Sequence, residues 1–435
     1  MSKTFRPWDV DQVWLLPPSV QDLVPAGHEA HFIRDTVRTG LDLSAIMDTY
    51  AEERGYPPYH PGMMVALLLY AYSQSVYSSR RIARACEERL DFAAVTGLQH
   101  PDFRAISDFR KRHLKALAGL FQQVLKLCRQ AGLVKLGYVA LDGTEIKANA
   151  GLNKAMSYGR MKQTEPKLAA EVERWLAEAA RTDKTEDRQH GKDQRGDEMP
   201  EWVANKEKRL AKIREAKAAL EAEARAKAEA QKKDDGGGPP KPGHNDAKPA
   251  DKAQRNFTDP DSRVMPTRNG FVQGYNAQAA VDGDHQIIVA HTLTNSSSDQ
   301  AQLEPLLDAI KANLGTNPDE VSADAGYCSD ANLRTLSRRR IKAYVATGRQ
   351  KHGTKAAVGK HKTQSPLVAR MTTKLKRGGY RSRYRLRKQI VEPVFGQIKQ
   401  ARGFRQFLLR GIEQVQGEWA MICTAHNLVK LAAAR

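Results

Sequence analysis

The spacing of apolar residues divides the chain into a helical first third and a strand-rich remainder. Met63-Met64-Val65-Ala66-Leu67-Leu68-Leu69 follows Pro61 with no breaker, which predicts a buried helix. Ser78-Ser79 can cap a next helix that turns Ile82, Ala83 and Cys86 inward and Arg80, Arg81 and Arg84 outward. Phe109, Leu114, Leu117, Leu120, Phe121, Val124 and Leu127 recur at helical spacing and predict one long amphipathic helix over 107–131. At Gly137 the pattern changes. Tyr138-Val139-Ala140-Leu141-Asp142 reads as a buried strand ending in a carboxylate. Residues 271–282 and 286–292 read as a hairpin turning at Gly283-Asp284. A helix over 299–313, a strand Val321-Ser322-Ala323-Asp324, a helix over 330–339 and a strand over 342–346 follow. The basic stretch 349–377 has little apolar content and reads as a mobile loop; a last helical region starts near 383.

Residues 151–255 interrupt this series. They hold two Lys/Glu/Ala-rich helical stretches, 165–180 and 201–232, the second with Leu210, Ile213 and Leu220 at heptad-like positions. Asp234-Asp235-Gly236-Gly237-Gly238-Pro239-Pro240 ends them, and a polar linker reaches about 255. The segment reads as an inserted helical hairpin or partly disordered arm. Without it the order is three strands, then helix, strand, helix, strand, helix. That is the order of an RNase H-like fold, a mixed five-stranded sheet with flanking helices. The expected organisation is an all-α helical domain over 1–135, a catalytic domain over 136–150 and 256–435, and the insertion over 151–255.

Charge adds a partner. Among 435 residues, 70 Lys and Arg oppose 50 Asp and Glu, a net +20, which points to a polyanion and first to nucleic acid. Four scattered cysteines without a CxxC pair exclude a disulfide scaffold and fit a reducing compartment. The longest apolar run, 63–71, is too short to span a bilayer, so no membrane is expected as a partner. Phe109-Arg110-Lys111-Arg112-His113 sits near the start of the 107–131 helix, and helix-turn-helix modules meet DNA through helices with basic ends.

Three carboxylates stand out by position. Asp142 closes the first strand, Asp324 closes the fourth, and Glu392 sits in the late helix. In an RNase H-like sheet the first and fourth strands are neighbours, so Asp142 and Asp324 meet although 182 positions separate them. Three oxygen donors around a pocket suit Mg²⁺ or Mn²⁺, and the like charges need such cations to coexist. Two ions about 4 Å apart can drive in-line phosphoryl transfer. Residues 374–410 hold 12 Lys and Arg and a single acid, Glu392, an arrangement suited to holding phosphate beside a metal ligand. Lys399 follows Glu392 by seven residues, about two helical turns, and projects from the same face. Tyr384 and Arg387 precede Glu392 and can add stacking and charge.

These pieces resemble the DDE-type transposases of bacterial insertion sequences, in the subgroup with an N-terminal helical domain. The likeness runs through Phe5-Arg6-Pro7, the helical 60–130 region, Ala140-Leu141-Asp142-Gly143-Thr144, Asp259-Pro260-Asp261, Gly274-Tyr275-Asn276-Ala277-Gln278, Ala323-Asp324-Ala325-Gly326-Tyr327 and the Glu392 segment. The family's Tyr-x2-Arg-x3-Glu-x6-Lys signature is similar to Tyr384-x2-Arg387-x4-Glu392-x6-Lys399. The extra residue turns Tyr384 and Arg387 by about 100° relative to Glu392 on a continuous helix, and offers Lys388 in place of Arg387. The resemblance implies cutting at terminal inverted repeats and joining 3′ ends to target DNA. It implies two Mg²⁺ ions (or Mn²⁺) on Asp142, Asp324 and Glu392, a homodimer on DNA, and a cytoplasmic, nucleoid-associated bacterial protein. The expected DNA contacts are Lys399, Arg387, Lys388, Tyr384, Arg110, Lys111 and Arg112. Asp259 and Asp261 read as turn or capping residues. The competing readings are a transposase-derived DNA-binding protein that no longer cuts, and an RNase H-like nuclease without strand transfer.

Overall fold

The computed structural model describes residues 19–50, 58–190, 201–234, 248–267, 270–348 and 365–434. Seven helices come first: α1 (Glu29–Gly40), α2 (Ser44–Met47), α3 (Pro61–Ser73), α4 (Ser79–Glu88), α5 (Leu90–Thr96), α6 (Phe103–Arg112) and α7 (Leu114–Gln130). Apolar residues on all sides of α3 bury all of it but Met63, which is partly buried, with Pro61 opening it and His60 Nδ1 accepting the Gly62 N–H. Ser78 caps α4 as expected. The long helix expected over 107–131 is two helices. It breaks at His113, where φ −105° and ψ 16° leave the helical region. The ring of His113 is buried against Phe109 and meets the Tyr50 hydroxyl.

The strands are β1 (Val139–Lys147), β2 (Ala155–Ser157), β3 (Gln254–Asn256), β4 (Arg263–Thr267), β5 (Gly270–Asp282), β6 (Ile288–Thr294), β7 (Glu320–Ala323) and β8 (Lys342–Val345). The main sheet runs β4-β5-β1-β7-β8, and β6 also pairs with β5. β1 is antiparallel to β5 and parallel to β7, and β7 is parallel to β8. This mixed sheet is the RNase H-like arrangement, with β4 as a sixth strand continuing the edge that β6 begins. β1 runs five residues past Asp142, because Gly143 to Lys147 still pair with β5 after β7 has ended. Asp142 is therefore inside a strand, not at its tip.

Between β1 and β4, α8 (Tyr158–His190) and α9 (Glu201–Asp234) form the inserted arm, closed at its base by the β2–β3 pair. A small core of its own, around Met161, Leu168, Leu210 and Ile213, holds the arm together. Glu223 ties it to Arg255 of β3 and, through Arg263 of β4, to the main sheet. Residues 235–247, with most of the expected linker, lie outside those described.

After β6 come α10 (Leu303–Leu314), α11 (Asp330–Arg338), α12 (Pro366–Gly378), α13 (Leu386–Gly396) and α14 (Ile412–Ala433). α12 corrects the loop expected over 349–377. Ser365 caps it, Pro366 opens it, and Met371, Thr372 and Leu375 are buried. Residues 349–364 lie outside those described. α14 packs against α7, α3 and β6, so the N-terminal helices and the sheet share one continuous core. Among the described residues no helix is long and apolar enough to cross a membrane.

Glu418, on α14, is wholly buried and accepts the N–H groups of Leu408 and Leu409. Burial pushes its carboxyl up to about 7, against the pull of those N–H groups and of Arg110. A raised carboxyl contributes stability below its unfolded value, about 4.3, and loses it as pH climbs through 7. Raising the pH from 5 to 8 is expected to cost the protein about 2 to 3 kcal/mol through this group. Urea midpoints of wild type and Glu418→Gln across that range should diverge accordingly; parallel curves would exclude it.

Candidate active site

Asp142 and Asp324 come together through the parallel pairing of β1 with β7. In it Val139 faces Val321 and Ala140 faces Ser322. Each carboxylate stands two residues beyond that last pair, so the two lie level at one end of the sheet. Asp142 Oδ1 accepts the Gly143 N–H at 3.0 Å. Asp324 caps the single 3-10 turn Ala325–Tyr327 and accepts the Gly326 N–H at 2.8 Å. α13 packs along β1 and supplies Glu392.

Arg387, in the first turn of α13, joins the strand to the helix. Its Nη1 donates to Asp142 Oδ2 at 2.7 Å and its Nη2 to Glu392 Oε1 at 3.3 Å. The residue is 7% exposed, while the Glu392 side chain remains 48% exposed. Burial pushes the Asp142 carboxyl up to about 7; Arg387 opposes the shift and Asp324 adds to it. Asp324 is raised by burial and then by the charge of Asp299. Arg387 is thus the counter-ion of a crowded group of carboxylates.

Past Pro393 and Gly396 the helix widens into a π-turn, Gln397–Ala401. That turn carries Lys399, whose Nζ donates to Thr144 Oγ1 at 2.8 Å and to the Glu145 carbonyl at 3.0 Å. Lys399 therefore lies along β1 just beyond Asp142. Partial burial lowers its ammonium below the usual lysine range.

The other expected contacts divide. Lys388, Lys111 and Arg112 are exposed. Tyr384 is 8% exposed, and its ring centre lies 5.9 Å from the Arg387 guanidinium, so it braces that arginine from inside. Arg110 is buried. Its guanidinium is taken up by the Tyr72 hydroxyl, the Tyr77 carbonyl and Ser79, which leaves it structural. Asp259 accepts from the Tyr275 hydroxyl and the Gly411 N–H, and Asp261 from the Ile412 N–H at the start of α14. Asp299 joins the site without having been singled out in the sequence, where it ends a polar, serine-rich run. The legible signal was on β5, where Asn276 and Gln278 share one face and require a buried polar partner.

Among the described residues no three His, Cys, Asp or Glu side chains converge closely enough to hold a metal ion. The guanidinium of Arg387 stands between Asp142 and Glu392. The donor set itself, all carboxylate oxygen with Asp142 raised by burial and by the charge of Asp324, fits a hard divalent cation.

Two families match the chain: "Transposase DDE domain" over residues 250–428, and "Transposase domain (DUF772)" over residues 18–112. The first match contains Asp324 and Glu392, while Asp142 lies upstream of it, across the inserted arm. No curated protein and no solved structure matches the chain. With two transposase domains in this order and an RNase H-like sheet, the chain belongs to the DDE-type transposases of the insertion-sequence kind.

Proposed function

We propose that this DNA transposase cuts at the terminal inverted repeats of its insertion sequence and joins the freed 3′ ends to target DNA. The observation that carries the reading is the level approach of Asp142 and Asp324 beyond the β1–β7 pairing, with Glu392 linked to Asp142 through one guanidinium. Asp142, Asp324 and Glu392 would hold two Mg²⁺ or Mn²⁺ ions on DNA. Ions bound there supply an activated water or 3′-hydroxyl and stabilise the leaving oxygen. Lys399, beside Asp142 on the same edge, holds a phosphate flanking the scissile bond. Arg387 would offer its fork to a phosphate if the carboxylates held a cation. Lys388, with Lys111 and Arg112 at the end of α6, contacts the backbone farther along. Holding two ends at once calls for a homodimer on DNA, in the cytoplasm at the nucleoid.

The test is incubation of the protein with a labelled fragment carrying the element's ends, in Mg²⁺ or in EDTA. Nicking at the ends in Mg²⁺ alone is the expected result. A second reading, a DNA-binding protein that does not cut, draws on the Arg387 bridge, which neutralises carboxylates without a metal. End binding with no nicking in Mg²⁺ or Mn²⁺ would favour it.

Lys399→Ala is expected to weaken end binding and reduce the slope of log K against log salt by about 1. An unchanged slope would remove Lys399 from the phosphate contacts.

A further inference from the structure

Asn276 and Gln278, in the Gly274-Tyr275-Asn276-Ala277-Gln278 stretch of β5, are buried beside the catalytic edge. Both amides donate to one oxygen. Asn276 Nδ2 and Gln278 Nε2 each lie 2.7 Å from Asp299 Oδ1. Gln278 Nε2 is also 2.9 Å from Asn276 Oδ1. The far end of Gln278 accepts the hydroxyl of Tyr327, which follows Asp324 by three residues. A polar belt therefore runs from Asp299, across β5, to the turn that Asp324 caps.

The other oxygen of Asp299 faces that turn. A methyl group at Gly326 would stand 2.9 Å from Asp299 Oδ2 and 3.1 Å from Asp324 Oδ1. Gly143, the neighbour of Asp142, is glycine for a related reason: a methyl there would run into Gln278 Nε2 and stand 2.8 Å from Asp299 Oδ1. Side chains are thus missing at the two positions where Asp299 and its partners approach the catalytic aspartates. Asp299 Oδ2 accepts no hydrogen bond among the described residues. Holding one more carboxylate in this place is unfavourable unless its charge is used.

We propose that Asp299 is a positioning residue of the reaction centre: it ties β5 to the Asp324 turn and keeps a negative charge beside Asp324 that strengthens divalent-cation binding. The proposal rests on the reading of Asp142, Asp324 and Glu392 as the cation site.

The experiment is a Mn²⁺ titration of the full chain bound to an oligonucleotide of the element's end. Free Mn²⁺ is followed by electron paramagnetic resonance, with the oligonucleotide alone as blank. Asp299→Asn keeps an oxygen for Asn276 and Gln278 but removes the charge. It should melt like wild type and bind Mn²⁺ about 10- to 100-fold more weakly, the usual scale for groups supporting a metal ligand. Gly326→Ala, which forces the two carboxylates apart and removes neither, should weaken Mn²⁺ in the same direction. Should Asp299→Asn fail to fold, Gly326→Ala decides. Wild-type Mn²⁺ binding in the variants that fold would overturn the role of Asp299. Asp324→Asn in the same series separates the two claims. If it too binds like wild type, the cation-site reading itself fails; if it alone loses the ions, only the role of Asp299 falls.

Discussion

Replacing Asp142 or Asp324 by Asn, or Glu392 by Gln, is expected to lower nicking at the element's ends by about 10³-fold or more. End binding should stay within a few-fold. The scale follows from the several kcal/mol of charge stabilisation that a bound metal supplies, each 1.36 kcal/mol being a factor of ten in rate. The amides keep shape and volume while removing charge, so packing at the β1–β7 end has no reason to change. They also leave Lys399, Lys388 and the basic surface in place, and phosphate contacts from such groups would supply most of the salt-dependent affinity. The measurement is a pair of assays on one preparation: gel-shift affinity for a terminal fragment and nicking rate in Mg²⁺. Loss of binding in all three variants would mean that the carboxylates organise the fold instead of the chemistry. Full nicking in any one of them would remove that residue from the metal site.

The meeting of Asp142 and Asp324 is legible in the sequence because the information there is topological. A buried run ending near a carboxylate, twice, in strands that an RNase H-like order makes neighbours, leaves little freedom for where Asp142 and Asp324 go. The place of Arg387 is less legible, because a helical wheel sees only one element. Five residues on a helix turn Arg387 about 140° from Glu392. Yet the long side chain reaches back to Glu392 while its other nitrogen meets Asp142 on β1. Lys388, offered as its replacement, is exposed. Asp299 was hidden because its partners Asn276 and Gln278 lie 23 and 21 positions away, and its own surroundings are a polar loop. The helix α12 is masked in the sequence by its charge. Met371 and Leu375 give it only a narrow apolar face, and the Ser365-Pro366 start was the more telling mark. Arg110 shows the converse error. In the sequence it reads like its exposed neighbours Lys111 and Arg112, yet α6 turns it inward to Tyr72 and Ser79.

Arg387→Ala should split two properties that a simple DNA contact would keep together. In metal-free buffer the variant is expected to lose about 3–5 kcal/mol of stability, because a carboxylate in a largely buried pair is left without its partner. The Asp142 side chain is 17% exposed and that of Arg387 9%, so solvent cannot replace the contact. With the guanidinium gone, the space between Asp142 and Glu392 is open to a cation. Mn²⁺ should then bind the DNA-free variant more tightly than wild type and recover part of the lost stability. Nicking should still fall, since the fork that holds phosphate is missing. Arg387→Lys retains the charge but not the two-pronged geometry, so it should sit between the two in stability and remain poor in nicking. The decisive readout is calorimetric Mn²⁺ binding without DNA, alongside melting with and without the ion. Equal Mn²⁺ affinity in wild type and Arg387→Ala would show that the guanidinium does not compete for the carboxylates. Its place between Asp142 and Glu392 would then be a matter of packing alone. Tighter binding in the variant would make Arg387 the internal cation of the DNA-free enzyme, exchanged for metal when substrate arrives.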